Sequence, residues 1–212
     1  PPPPPPPPRR PFFFQANAGF RDPVWSRGLG DVYKRQGTEA PAEFVFYLPQ
    51  FKALCMSEIT SHHLHNVYTP RGAQVRDALA WSAQINESIE LFGHRLDIQF
   101  ASHHWPIWGR DRAVDYLEKQ RDLYKYIHDQ TLRLANKGFN KEEIAERVDL
   151  PPSLGQEFYN RGYYGTVHHN TRAVYVKYLG FFDGNPSTLY PLPPTESVSY
   201  THLRAHETRE DR

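Results

Sequence analysis

Two adjacent histidines follow a strand-like run near the middle of the chain. His103 and His104 come after residues 96–100, where apolar and polar side chains alternate as in a half-buried strand. A second apolar run, residues 53–56, is followed closely by Glu58. Ligand-type side chains at the ends of strands are typical of hydrolytic metal sites, because strands fix the geometry while the loops admit substrate. By residue type alone, either histidine can be the ligand, with the other orienting it.

Composition excludes several functional classes. The chain has 212 residues with a net charge of +1, so no global field favours nucleic acid or an anionic membrane. No stretch approaches the roughly 20 apolar residues of a membrane span. The sequence also shows no secretory signal, and it leaves the compartment undetermined. Cys55 is the single cysteine, which excludes an internal disulfide and a cysteine-based structural zinc site.

Both ends differ in composition from the middle. Residues 1–8 are all proline and an arginine pair follows, which is the form that polyproline-binding grooves accept. The competing interpretation is that residues 1–36 and 198–212 are not native coding sequence, since 31–36 and 198–208 resemble translated adapter sequence. Neither end shows helical or strand periodicity, so we expect neither to pack.

The middle of the chain predicts strands followed by helices. The sequence predicts an antiparallel strand pair at 44–48 and 53–56, then a helix that starts at Thr69-Pro70 and ends at Gly93. After the strand at 96–100, helices are predicted over 111–136, from a capping box at Asn140, and from an N-cap at Asn170 to Gly180. A β-α-β part thus gives way to helices at about residue 140.

Several long sequence words, in one order, resemble the bacterial alkyl sulfatases of the metallo-β-lactamase superfamily. These enzymes hydrolyse dodecyl sulfate and similar detergents. The matching words are residues 37–43, 52–58, 64–73, 75–82, 101–108, 119–136, 161–165 and 183–186.

The resemblance implies an α/β fold that is only part of the family's architecture. Residues 37–140 correspond to the C-terminal half of the αββα metallo-β-lactamase domain. Residues 141–197 correspond to the start of an all-α dimerisation domain, which implies a homodimer. The His-x-His-x-Asp-His motif of the N-terminal half does not occur in this sequence.

The same resemblance implies a site with two zinc ions and seven protein ligands, four of them from the missing motif. Glu39 would complete the first zinc site, Glu58 would bridge both metals, and His103 would bind the second zinc. Asn66 and Arg71 would hold the sulfate of an alkyl sulfate substrate, and Tyr175 would add a hydroxyl or else pack in the core. The family words keep His65, whereas His62 and His63 are interpreted as loop residues.

Three hypotheses follow. The chain is part of a zinc-dependent alkyl sulfatase that uses metal-activated water, or a non-catalytic helical interaction module, or part of another hydrolase of the superfamily. Because only three of the seven implied ligands are present, we expect the isolated chain to bind zinc weakly and to hydrolyse nothing.

Overall fold

A five-stranded sheet forms the first half of the structure. The computed structural model describes the backbone of residues 31–35 and all of residues 37–198. The strands lie in the sheet in the order in which they occur along the chain. All neighbouring pairs are antiparallel except β3 and β4, which are parallel. The strands are β1 (Asp31–Arg35), β2 (Glu43–Leu48), β3 (Ala53–Cys55), β4 (Ile98–Phe100) and β5 (Ile107–Trp108).

The parallel pair requires a crossover, and helix α1 provides it. Residues Ala78, Trp81, Ile85 and Phe92 of this helix are buried at helical spacing. They pack in the same core as the sheet residues, so both ends of the crossover are held to one hydrophobic cluster. The helices are α1 (Ala78–Phe92), α2 (Arg110–Ala135), α3 (Lys141–Ala145), α4 (Pro152–Gly155), α5 (Val167–Leu179) and α6 (Pro186–Leu189), and residues 194–198 are also helical.

The predicted fold class is confirmed: a mixed α/β part precedes a helical part. The predicted antiparallel strand pair and the long helix after Gly109 are present. The capping box is present as well, because Asn140 accepts from the N–H of Glu143 and the Glu143 carboxylate accepts from the N–H of Asn140. Cys55 is a buried residue of β3.

Two predicted helix starts were wrong. Helix α1 begins at Ala78 with Asp77 as its N-cap, whereas Thr69 and Pro70 lie in a turn that continues into Gly72 at φ +95°. A positive φ is incompatible with a continuing right-handed helix, so the chain cannot run helically from Thr69 to Asp77. Helix α5 is capped by Thr166, whose hydroxyl accepts from the N–H of His169, so Asn170 lies inside the helix.

The expectation that residues 1–36 do not pack was wrong for residues 31–35. Their backbone pairs with β2 over five register positions, from Asp31 opposite Tyr47 to Arg35 opposite Glu43. Without β1, this edge of β2 would leave backbone N–H and C=O groups unpaired. Any extended segment can pair with these groups, whatever the pattern of its side chains. Residues 1–30, 36 and 199–212 lie outside the described part of the chain.

Trp81 is the largest buried side chain of α1. It is fully buried, stacks on Tyr124 of α2 at a centroid distance of 4.5 Å, and donates through Nε1 to the carbonyl of Ile59 at 2.7 Å. It therefore joins the crossover helix, the long helix and the loop after β3. Among the described residues, no helix has the length and apolar character needed to cross a bilayer.

Trp81→Ala should lower the free energy of unfolding by about 3–5 kcal/mol, since it removes buried aromatic area and leaves a cavity. Urea denaturation measures the change. Leu79→Ala on the partly exposed side of the same helix is the control, with an expected change of about 0.5 kcal/mol. Equal losses for the two variants would contradict the position assigned to Trp81.

Candidate metal centre

Three side chains from two loops, the loop before β2 and the loop between β3 and α1, converge at the β3 end of the sheet. Glu39 precedes β2, Glu58 follows β3, and His65 lies in the loop before α1. One ligand atom from each lies within 4.8 Å of the others. Glu39 and Glu58 are partly buried and His65 is 6% exposed. Two carboxylates and an imidazole brought together in this way form a donor set suited to a divalent metal ion.

Glu58 is also in contact with His103. The His103 Nε2 lies 2.8 Å from Oε1 of Glu58, although the His103 side chain is 60% exposed. Glu58 thus contacts His103 and also belongs to the group with Glu39 and His65. This position is compatible with the bridging role that the resemblance implies for Glu58. The other acidic ligand that the resemblance implies, Glu39, and the implied histidine, His103, both lie beside the Glu58 carboxylate.

The acidic side chains at this centre are close enough to disfavour one another's ionisation. Burial, and then the nearby Glu58, raise the pKa of Glu39 above its usual value, while Arg76 opposes the shift. Burial, with smaller contributions from Glu39 and Glu58, raises the pKa of Glu43 to about 7. A cation at this position would relieve both costs, so the electrostatics fit a bound metal ion.

His65 is held in the tautomer that can bind a metal. Its Nδ1 lies 2.9 Å from the carbonyl of Asn66, and because a carbonyl only accepts, Nδ1 carries the hydrogen. Burial lowers the pKa of His65 to about 4, so the ring is neutral at pH 7 and Nε2 keeps its lone pair. His65 lies in residues 64–73, one of the segments that resemble the family, but its spacing from other residues did not distinguish it as a metal ligand.

Arg76 is the functional residue that sequence reasoning missed. Its guanidinium donates to the Glu39 carboxylate at 2.7 Å, to the Thr69 hydroxyl at 3.0 Å, and to the side-chain oxygen of Asn66. Its side chain is 11% exposed and that of Glu39 is 16% exposed. The sequence offered no signal for this position, because the helix predicted from Thr69 included Arg76 and only the fold shows that its guanidinium is buried among acceptors.

The expected sulfate-holding residues have different surroundings. Asn66 is buried, and its Oδ1 faces Arg76 because the guanidinium can only donate. Arg71 is exposed in the turn between Thr69 and Gly72, not in the first turn of a helix as predicted.

Tyr175 lies outside this centre. It packs in a second hydrophobic cluster with Leu134, Ile144 and Val148 of the helical part. The structure therefore gives Tyr175 the packing role that the sequence left open, and we leave it out of the proposed substrate site. Its position on α5, whose buried face points to α3, accounts for this placement.

Further histidines lie beside the centre. His62 is a loop residue, but it is 5% exposed and stacks on Tyr116. Nδ1 of His63 lies 2.9 Å from Nε2 of His104, which makes these two rings a hydrogen-bonded pair. Burial lowers the pKa values of His62 and His63 to about 4, so these two rings are neutral at pH 7.

Arg76→Ala should lower the free energy of unfolding by on the order of 2–4 kcal/mol, because it leaves Glu39 and the Asn66 amide without their charged donor. Arg71→Ala, which removes an exposed guanidinium, should change it by about 0.5 kcal/mol. Urea denaturation of both variants measures the two changes in the free energy of unfolding. Arg76→Ala as stable as Arg71→Ala would contradict the linking role of Arg76.

Glu43→Gln should change how stability depends on pH. The folded-state pKa of about 7 lies above the ordinary glutamate pKa of 4.5, so ionising Glu43 costs stability as the pH rises between these values. In EDTA, the variant should therefore gain stability relative to the native sequence between pH 5 and pH 8. Thermal unfolding at both pH values measures this difference.

The control for this comparison is Glu90→Gln, at an exposed position of α1. His62, His63 and His65 have lowered pKa values and contribute with the opposite sign, but they are present in all three proteins and drop out of the difference. If the stability of Glu43→Gln depended on pH in the same way as that of Glu90→Gln, Glu43 would not be buried beside other carboxylates.

Comparison with known proteins finds relatives of this chain among the alkyl sulfatases. A family profile described as alkyl sulfatase dimerisation matches residues 140–204. A linear primary-alkylsulfatase of Pseudomonas sp. is 52% identical over 162 residues, which cover 76% of this chain and 24% of that protein. The alkyl/aryl-sulfatase BDS1 of Saccharomyces cerevisiae is 51% identical over 177 residues, covering 82% of this chain and 27% of that protein.

Structural comparison agrees. The structure of the stereoselective inverting sec-alkylsulfatase Pisa1 from Pseudomonas sp. superposes with a TM-score of 0.78 and 42% identity, covering 85% of this chain and 31% of that one. This chain spans about a quarter of the length of the two curated relatives above. The matches extend well beyond the helical segment and include a yeast protein, so the likeness is not confined to bacteria. The resemblance drawn from the shared sequence segments is thereby confirmed: the chain is similar to alkyl sulfatases over 76–85% of its length, and residues 140–204 match the alkyl sulfatase dimerisation family.

Proposed function

We propose that this chain is part of a zinc-dependent alkyl sulfatase that hydrolyses alkyl sulfate esters to an alcohol and sulfate. The observation that carries the proposal is the convergence of Glu39, Glu58 and His65, with His103 on the Glu58 carboxylate. The relatives are alkyl sulfatases of two organisms, which favours this reaction over that of another hydrolase in the superfamily.

The residues that would hold two zinc ions are Glu39, Glu58 and His103, as the resemblance implies, together with His65 from the geometry. When bound, zinc supplies a Lewis acid and lowers the pKa of water into the neutral range. The carboxylates supply negative charge to the cations, and Arg76 fixes the position of the Glu39 carboxylate through its hydrogen bond. The neutral His65 ring supplies Nε2 without a competing proton.

The sulfate group would bind near Asn66. Arg76 and Thr69 both donate to Oδ1 of Asn66, which fixes the orientation of the amide and leaves Nδ2 as the donor for a sulfate oxygen. Arg71, on the neighbouring turn, adds a planar guanidinium that matches a tetrahedral oxyanion. These donors would stabilise the negative charge that develops on the departing sulfate.

The chain would divide into two functional parts. Residues 37–140 would form half of the catalytic domain, and residues 141–197 would begin the dimerisation domain and support a homodimer. The family profile for dimerisation, which begins at residue 140, supports this division. The non-catalytic interaction hypothesis is compatible with it, since the helical part can pair subunits whatever the state of the metal centre.

A chimera tests the proposed reaction. Residues 37–198 replace the matched segment of the Pseudomonas linear primary-alkylsulfatase, and sulfate release from octyl sulfate and bound zinc are measured. The chimera should release sulfate and lose this activity in EDTA. An inactive chimera that is folded and carries zinc would contradict the proposed function.

In that chimera, Glu58→Gln should lower kcat by on the order of a hundredfold or more and reduce zinc content, because it removes the carboxylate shared by the centre. Glu90→Gln, at an exposed position of α1, is the matched control and should leave both values unchanged. Full zinc occupancy in Glu58→Gln would remove Glu58 from the ligand set.

A further inference from the structure

The loop formed by residues 64–68 is held by the helical part of the chain, not by the sheet. This loop carries His65 and Asn66, and it has no strand partner or helical hydrogen bonds of its own. Buried backbone groups need partners, so the source of those partners decides where the loop lies. The hydrogen bonds with the helical part run from Leu64 N–H to the Arg161 carbonyl, Gly165 N–H to the Leu64 carbonyl, Asn170 Nδ2 to the His65 carbonyl, Val67 N–H to Asn170 Oδ1, and His169 Nε2 to the Tyr68 carbonyl. Outside the helical part, the Tyr124 hydroxyl accepts from His65 N–H, and Arg76 donates to the carbonyls of Asn66 and Val67.

The side chain of Asn170 forms hydrogen bonds with the loop on both sides of Asn66. Its amide nitrogen donates to the carbonyl of His65 and its amide oxygen accepts from the N–H of Val67, each at 2.9 Å. The side chain is fully buried. One amide therefore satisfies the two backbone groups that flank Asn66, and it fixes the plane in which the Asn66 backbone lies.

Gly165 approaches the same residue from the backbone side. A Cβ added at Gly165 would lie 2.7 Å from the backbone N of Asn66 and 2.8 Å from its Cα. Both contacts are to main-chain atoms, which cannot rotate away as a side chain can. The absence of a side chain at Gly165 is thus what lets the helical part come close enough for Asn170 to reach the loop.

We propose that Asn170 and Gly165 are positioning residues for the sulfate site: they hold the 64–68 loop so that Asn66 and His65 reach the metal centre. This inference rests on the proposed function, since it assigns Asn66 the role of sulfate donor. It also gives the helical segment a second task besides dimerisation, because Asn170 and Gly165 both lie in the segment that matches the dimerisation family.

The chain offers a matched control for each residue. Asn160 is an equally buried asparagine in the helical part, but its amide bonds Gln120 and the carbonyl of Leu154. Gly155 ends α4, and an added Cβ there meets only the Leu150 side chain and carbonyl, at 3.3 Å and beyond. Because Gly165→Ala meets closer contacts than Gly155→Ala and can lose more stability, the variants are compared by KM, which a loss of stability alone leaves unchanged.

The test uses the chimera described above with Asn170→Ala, Gly165→Ala, Asn160→Ala and Gly155→Ala, assayed at saturating zinc. Misplacing Asn66 should raise the KM for octyl sulfate and the inhibition constant of inorganic sulfate by on the order of tenfold or more in the first two variants. The two controls should stay within about twofold, because a mainly structural loss lowers the active fraction and leaves KM unchanged.

Hydrogen exchange in the 212-residue chain gives a second readout that needs no catalysis. Asn170→Ala should speed exchange of the Val67 amide by about tenfold or more, while Asn160→Ala leaves it unchanged. Equal exchange in the two variants, or unchanged KM and sulfate inhibition in an active chimera, would overturn the inference. An inactive chimera would instead count against the proposed function, and the exchange result would still decide whether Asn170 holds the loop.

Discussion

A buried guanidinium must be surrounded by acceptors, and Arg76 obtains them from its own loop and from one loop that is distant in sequence. Glu39 comes from the loop before β2, whereas Asn66 and Thr69 come from the long loop before α1. Because a guanidinium presents its donors in a fixed planar fork, these acceptors have little freedom once Arg76 is in place. The acidic side of the metal centre and the expected sulfate donor are therefore positioned by one side chain, which is itself anchored just before the N-cap of α1.

The charge at this centre is unbalanced without a cation. Burial, followed by nearby carboxylates, raises the pKa values of Glu39 and Glu43, and Arg76 opposes only part of this effect. The neighbouring histidines are kept neutral by burial, so they add no positive charge at pH 7. Neutral imidazoles beside partly buried carboxylates are costly for stability but suit metal binding, and this is the compromise expected at a functional site.

Hydrogen bonds and a close backbone approach connect the helical part to the candidate metal centre. The loop that carries His65 and Asn66 takes most of its backbone hydrogen bonds from residues 161–170, with others from Arg76 and Tyr124, and the close approach at Gly165 makes the connection to the helical part tight. Separating the two parts would expose the buried Asn170 amide and the backbone groups of the loop together. The predicted boundary near residue 140 separates the strand-containing part from the helical part along the sequence. In the structure, hydrogen bonds between the 64–68 loop and Asn170 cross this boundary.

Local periodicity, capping chemistry and ordered residue identity can be read along the chain. They predicted the strands around Tyr47 and Leu54, the long helix after Gly109, the capping box at Asn140 and the resemblance to alkyl sulfatases. The fold was needed to show that Arg76 links Glu39 to Asn66, that His65 lies with the acidic group, that Tyr175 packs elsewhere, and that Asn170 bonds a loop and does not cap a helix. Each of these depends on which distant groups a buried polar atom meets, and sequence spacing carries no information about that.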